Sequence, residues 1–495
     1  MGAIKKLLGQ TAIYGLSSIV ARVINFFFVP LYSRVLPTGN YGYATEILSY
    51  IALLQVVLAM GMETGFFRFA NNHKDQSEKI FSTAFISLFF SATSFLLIVL
   101  LLLNPISGFT GYPKAYVVLA AGILAMDTIT ALLFAELRYL EKAWKFAIFK
   151  SIKIIFEVGS NLVLFFMLPR YFISHPNSIL LKVIPPVPDY GYILLAIFSS
   201  CVVAVILFIP RILKIKFIFS RTMFVRLAKY SIPLMLAGLP GVANDFISRI
   251  FFRFFAPAHI PWQEQLGIFG ANLKLAVIMV LFQQMFKYAA EPFYFSYGEN
   301  TKNRTIYADV MKYYVIFCLL IFLVVAMFAD VFVLFLGRNY RSGVDILPIM
   351  LIANMFIGII FNLSMWYKLT DRTKYALNIT VIGLIVNVIF NIIFMPKYGY
   401  MAAAWGFLVS YLSMTVYSYA LGQKYFKIPY DVKTITIYIV FAVLLYLVST
   451  LFTDYGAILR YGINIVLIAA YVIVVMYKEK ITFKQILSVI KISKK

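Results

Sequence analysis

The chain has 495 residues, of which 62% are hydrophobic and 13% charged. Soluble globular chains carry about 25% charged residues, so this composition excludes an ordinary cytosolic enzyme, a disordered protein and a DNA-binding domain. The formal charge of +24, from 44 Lys and Arg against 20 Asp and Glu, then reads as the Lys/Arg bias of cytoplasmic membrane loops and not as a footprint for nucleic acid.

A spanning helix needs about 20 mostly apolar residues. Met1 to Gln10 is polar and basic, and the apolar run after it is of membrane length without a small-residue cleavage site, so it is read as a retained first span and not a signal peptide. In chain order the fourteen predicted spans are 11–36, 41–66, 80–103, 115–137, 146–168, 191–209, 231–256, 266–290, 307–336, 345–366, 374–395, 401–420, 432–451 and 457–477. The longest connection, Pro169 to Tyr190, is Pro-rich and reads as a surface insertion. Cys201 and Cys318 lie inside apolar runs, and His73, His175 and His259 are far apart, so neither a disulfide framework nor a metal or other cofactor is expected.

Placing the N-terminus in the cytoplasm and alternating, with residues toward span ends counted in the adjoining segment, puts 30 of the 44 Lys and Arg on the cytoplasmic side and 8 on the opposite side, with the remaining 6 within helices. That asymmetry predicts a multi-pass protein of the cell (inner) membrane with both termini cytoplasmic.

The most basic loop, Arg211 to Lys229, divides the chain, and the second half echoes the first. The first span carries Asn25, Arg34 and Pro37; shifted by 219, the seventh carries Asn244 and Arg253, with Pro257 one residue late. After each comes a Gly-aromatic segment, Tyr41-Gly42-Tyr43-Ala44 and Gly267-Ile268-Phe269-Gly270-Ala271. The predicted fold is therefore all-α and polytopic, with two six-helix lobes related by a pseudo-two-fold axis along the membrane normal, plus two extra C-terminal helices. The expected bounds are 1–210 for the first lobe, 211–230 for the linker, 231–423 for the second lobe, 424–477 for the added helices and 478–495 for a basic tail. Two-lobed bundles of this kind bind cargo between lobes and alternate access.

Three segments carry a family resemblance: Gly9-Gln10-Thr11-Ala12-Ile13-Tyr14-Gly15, Asn25-Phe26-Phe27-Phe28-Val29-Pro30-Leu31-Tyr32-Ser33-Arg34-Val35-Leu36-Pro37, and Tyr41-Gly42-Tyr43-Ala44. They resemble the start of bacterial oligosaccharide flippases, the polysaccharide-biosynthesis branch of the multidrug/oligosaccharidyl-lipid/polysaccharide exporter superfamily. Gly267-Ile268-Phe269-Gly270-Ala271-Asn272 is similar to that family's eighth helix start. The resemblance implies a V-shaped bundle that moves a polyprenyl-diphosphate-linked oligosaccharide from the inner to the outer leaflet for O-antigen, capsule or related surface polysaccharide. Membrane lipids and the polysaccharide polymerase machinery are the implied partners.

Ionisable groups inside spans are costly and usually face a cavity or a partner. Arg22 lies mid-way along the first span; Asp245, Arg249 and Arg253 follow i, i+4, i+8 spacing on the seventh; Lys274 lies about mid-depth in the eighth. The functional reading is that Arg22, Arg249, Arg253 and Lys274 form a cationic cavity for the diphosphate, since guanidinium binds such groups through paired charge-assisted bonds. The structural alternatives are an Asp245–Arg249 pair and, for Arg253, snorkelling to headgroups. On the fifth span Lys150, Lys153, Glu157 and Asn161 make one polar stripe. Glu157, Asp127 and Asp245 are the coupling candidates, for a proton or a sodium ion, with a Lys153–Glu157 ion pair as the structural alternative for the first. Gly238-Leu239-Pro240-Gly241 predicts a kink in the seventh span. The tail from Lys478 reads as an interfacial helix or a simple charge anchor.

Competing readings are a drug or cation antiporter of the same superfamily, a peptidoglycan-precursor flippase, and a membrane-embedded glycosyltransferase or polymerase. The first span holds no carboxylate, which disfavours the drug antiporter. The connections Thr38-Gly39-Asn40 and Asn104 to Lys114 hold no Asp, Glu or His, which disfavours an enzyme.

Overall fold

The computed structural model describes residues 20, 23–24, 26–182, 184–297 and 304–480. Arg22, Asn25 and the tail beyond 480 lie outside the described residues. The helices are α1 (Phe26–Val35), α2 (Thr38–Ala59), α3 (Met62–Asn72), α4 (Ser77–Leu101), α5 (Leu103–Thr110), α6 (Lys114–Tyr139), α7 (Ala143–Leu162) and α8 (Leu168–Ser174). Next come α9 (Tyr190–Ile212), α10 (Arg221–Phe255), α11 (Trp262–Leu275), α12 (Val277–Tyr297), α13 (Arg304–Met327) and the one-turn α14 (Ala329–Phe332). The chain ends in α15 (Leu347–Leu363), α16 (Met365–Leu369), α17 (Lys374–Tyr398), α18 (Tyr400–Tyr425), α19 (Val432–Thr450) and α20 (Ala457–Lys478). Among the described residues there is helix and no strand.

Each predicted span carries helix. Among the described residues, ten helical runs are long and apolar enough to cross a membrane, eleven if α11 and α12, bent by 49°, count as one. α10 and α18 are long enough but less apolar: α10 includes Pro233, Gly238, Pro240, Gly241, Asn244 and Asp245, and α18 is rich in Tyr and Ser. Many large apolar side chains face outward, among them Phe90 at 72% and Ile173 at 83% exposure. Such a surface would be insoluble in water and is what lipid requires, so the chain is a multi-pass membrane protein.

Local chemistry sets the boundaries. Pro37 and Pro113 immediately precede α2 and α6. Asp189 caps α9 by accepting from Gly191 N at 2.8 Å, and Ser220 caps α10 through Met223 N. The second predicted span breaks at Met60 and Gly61, both left-handed. α10 is one continuous helix through Pro233 and Pro240, whereas the sharp bend falls between α11 and α12. A π-turn, Val163–Met167, joins α7 to α8.

Two compact units emerge. The first comprises Met1–Ala271, Gly337–Tyr340 and Ala376–Gly406; the second comprises Asn272–Leu336, Arg341–Tyr375 and Phe407–Lys495. The first unit is cored by Phe66, Phe81, Phe85, Leu132, Leu133 and Phe208, drawn from α3, α4, α6 and α9. Within it the two Gly-aromatic segments of the sequence echo meet. A Cβ on Gly42 would lie 1.8 Å from Gln263 O, and one on Gly267 would lie 1.9 Å from Thr38 O. Only glycine permits this backbone-to-backbone crossing of α2 and α11.

In the second unit α15, α19 and α20 pack around α13. Lys312 meets Glu479 at 2.7 Å, and Tyr438 donates to the same carboxylate at 2.8 Å. Asn464 donates to Met327 O at 2.8 Å, and Arg460 pairs with Asp330. α20 is thus pinned to α13, and α19 to the end of α20, by polar bonds in addition to apolar packing.

Candidate functional site

Among the polar groupings that interrupt the apolar interior of the first unit, three hold or adjoin the residues that the sequence singles out. The first joins α2 to α10. Glu46, with no exposed surface, accepts from Arg253 Nε at 2.6 Å and Nη2 at 2.7 Å. Arg253 Nη1 donates to Thr110 O at 3.0 Å, and its guanidinium lies over the rings of Trp262 at 4.4 Å and Tyr112 at 5.2 Å. The Tyr112 and Tyr50 hydroxyls also donate to Glu46. This is a fork-on-carboxylate ion pair with further hydrogen bonds, the arrangement that a buried charge requires.

The second grouping is an amide ladder between α10 and α17. Asn387 Nδ2 donates to Asn244 O at 2.9 Å and Oδ1 at 3.0 Å, and Ser248 donates to Asn387 Oδ1 at 3.1 Å. Asn391 Nδ2 reaches Ser248 Oγ at 3.2 Å and Asn387 Oδ1 at 2.7 Å. All four side chains are buried. One residue after Ser248, Arg249 stacks on Phe246 at 4.7 Å. Its Nε is shut off from solvent and has no hydrogen-bond partner among the described residues.

The third grouping joins α6, α7 and α9. Lys153 Nζ lies 2.6 Å from Asp127 Oδ1, and the Cys201 thiol approaches the same oxygen at 3.4 Å. Lys150 lies over the Phe134 ring at 4.9 Å. Asn161 accepts from the Tyr32 hydroxyl at 2.7 Å and donates to Glu157 O at 2.9 Å. Glu157 is half-buried, with no cation within ion-pair distance among the described residues.

These geometries redistribute the sequence-derived roles. Arg253 spends its guanidinium fork on Glu46, a residue that sequence spacing does not single out, and does not snorkel. Lys153 pairs across helices with Asp127 and not with Glu157 one turn along its own helix. Asp245 lies one turn before Arg249 in the first unit. Lys274 belongs to the second unit, exposed in the last turn of α11 beside the bend. Arg22 is outside the described residues. Among the described residues no cluster of His, Cys, Asp and Glu has the makings of a metal site. Glu46 could have been found by depth. It lies near one end of its span and Arg253 near the corresponding end of another, and two opposite intramembrane charges at one depth invite pairing.

Fold and polar interior together define a class: a polytopic helical membrane protein with charged groups buried between its helices. Among solved structures, the lipid II flippase MurJ in an inward closed conformation superposes with a TM-score of 0.71 at 14% identity, over 94% of this chain and 98% of that one. An outward-facing multidrug resistance MATE family transporter of the MOP superfamily gives 0.56 at 12%, over 85% and 94%. A MATE structure in the straight conformation gives 0.55 at 12%, over 85% and 95%. No family model and no curated protein matches the sequence. At these identities the likeness is one of fold.

Proposed function

We propose that this chain is an alternating-access transporter, not an enzyme, that flips a lipid-diphosphate-linked oligosaccharide from the cytoplasmic to the outer leaflet of a bacterial inner membrane for surface polysaccharide synthesis. The observation that carries the reading is the buried Arg249 Nε without a hydrogen-bond partner among the described residues. A buried guanidinium N–H is costly to leave unmade, and a diphosphate oxygen supplies the acceptor it lacks. Arg22 is a further cationic contact in this reading, while Arg253 serves as a helix-to-helix tie. Glu157 is the acid assigned to proton exchange during the cycle, because Asp127 is already held by Lys153.

The test is export. Arg249→Ala and Arg22→Ala each abolish display of surface glycan while membrane insertion and yield stay normal. Arg249→Lys restores little, because an ammonium lacks the planar fork. Normal glycan display in Arg249→Ala would overturn the assignment. The near-complete coverage of the MurJ structure supports a second cargo, a peptidoglycan precursor. Rescue of cells depleted of their own lipid II flippase would select that cargo over the oligosaccharide.

A further inference from the structure

The strap that joins α9 to α10, taken together with the first turns of α10, has a chemistry of its own. From Arg211 to Asn244 there is no Asp or Glu. Lys214, Lys216, Arg221, Arg226 and Lys229 are exposed, and none forms an ion pair among the described residues. Arg211 differs: both Glu136 oxygens, at 3.0 and 2.9 Å, and Glu78 consume it. The same strap exposes large apolar side chains, with Leu213 at 79% and Phe217 at 63%, and Ile218 and Phe219 also bare.

It is not a slack tether. Ser82 Oγ donates to Lys216 O at 2.6 Å and accepts from Ile218 N at 3.0 Å. Thr83 Oγ1 accepts from Ser220 N at 3.4 Å. Ile215 and Met223 are buried in the core of the first unit. The strap is therefore nailed to the start of α4, and it begins where α9 ends. Both helices belong to apolar spans, so the strap lies where two spans leave the hydrocarbon, at the depth of the headgroups.

Bare Phe, Ile and Leu interleaved with unpaired cations suit neither water nor hydrocarbon. They suit the interface, where rings and aliphatic chains enter the acyl boundary and cations meet phosphates. We propose that residues 213–229 form a binding surface for anionic phospholipid headgroups in the leaflet the strap faces. The proposal is independent of the cargo.

The full chain in nanodiscs tests it. A spin label is placed at Phe217→Cys; the native thiols, Cys201 and Cys318, are buried. In phosphatidylcholine containing phosphatidylglycerol the label is reached by oxygen and shielded from a water-soluble nickel chelate. Native mass spectrometry finds phosphatidylglycerol retained on the parent. Retention falls at least several-fold in a variant with the five cations changed to Gln. It also falls for the parent at high salt, a readout that survives if the Gln variant fails to fold. Changing Lys214, Lys216 and Lys229 to Arg keeps retention at the parent level. A label open to the nickel chelate, salt-independent retention, or a folded Gln variant that keeps its phosphatidylglycerol would each overturn the proposal.

Discussion

Removing one partner of the Glu46–Arg253 pair has a large predicted cost. Glu46 has no exposed surface and the Arg253 side chain is 17% exposed, so water cannot replace the lost partner. In Glu46→Gln one oxygen still accepts from Arg253, but the new amide group faces Arg253 Nη2, donor against donor. One charge-assisted bond is lost outright, and the guanidinium stays charged without its counter-ion. Breaking a buried pair from one side costs about 3–5 kcal/mol. Arg253→Met should cost about as much, since it leaves Glu46 alone. The double variant, with neither charge, should lie within about 1–2 kcal/mol of the parent, because a buried pair replaced by neutral groups is often close to neutral. SDS-unfolding titrations of all four proteins give the coupling directly. Polar contacts between membrane helices average about 0.6 kcal/mol in such cycles, so coupling of about 3 kcal/mol separates an ion pair from an ordinary contact. Single variants that each lose under about 1 kcal/mol and add without coupling would refute the reasoning.

Gly267→Ala should sharply lower the folded yield in detergent, because its Cβ would meet a backbone carbonyl that cannot swing aside; Gly462→Ala, with open space around it, serves as the neutral control. Asn387→Leu breaks the α10–α17 ladder and should destabilise by about 1–2 kcal/mol in the same SDS titration, given at most about 1.7 kcal/mol per interhelical bond. Asp431, outside the spans, caps α19, and its hydrogen bonds from Thr434 hold its carboxyl below the usual range. The cap therefore contributes fully above the unfolded-state pKa of about 3.9 and is lost only as pH falls through the lower folded value. Asp431→Asn should flatten that acid limb in hydrogen exchange of the first turn of α19, leaving exchange at neutral pH nearly unchanged.

The helices were legible because apolar runs of membrane length declare themselves, and α10 shows where the signal thins, once polar and Pro residues occupy its middle. The echo between Tyr41–Ala44 and Gly267–Ala271 was legible as a pattern, but its physical content, a glycine-to-backbone crossing, needed the two segments side by side. Partner choice was the least legible. Lys153 had an acid at i+4, the local choice, yet it takes Asp127 from another helix, because the α6–α7 packing brings that carboxylate to hydrogen-bond distance. Glu46 and Arg253 are separated by 207 positions, and only their matched depth linked them. Sequence spacing reports what shares a face, not what faces it.

The glycine crossing has a mechanical corollary. Most helix contacts adapt by trading rotamers, which lets one rod slide along its neighbour. Where main chain rests on main chain there are no rotamers to trade, so α2 and α11 can swivel at that point but not glide. The junction sits in the first two turns of both helices, so it is a hinge near one end, and the displacement a swivel produces grows toward their far ends.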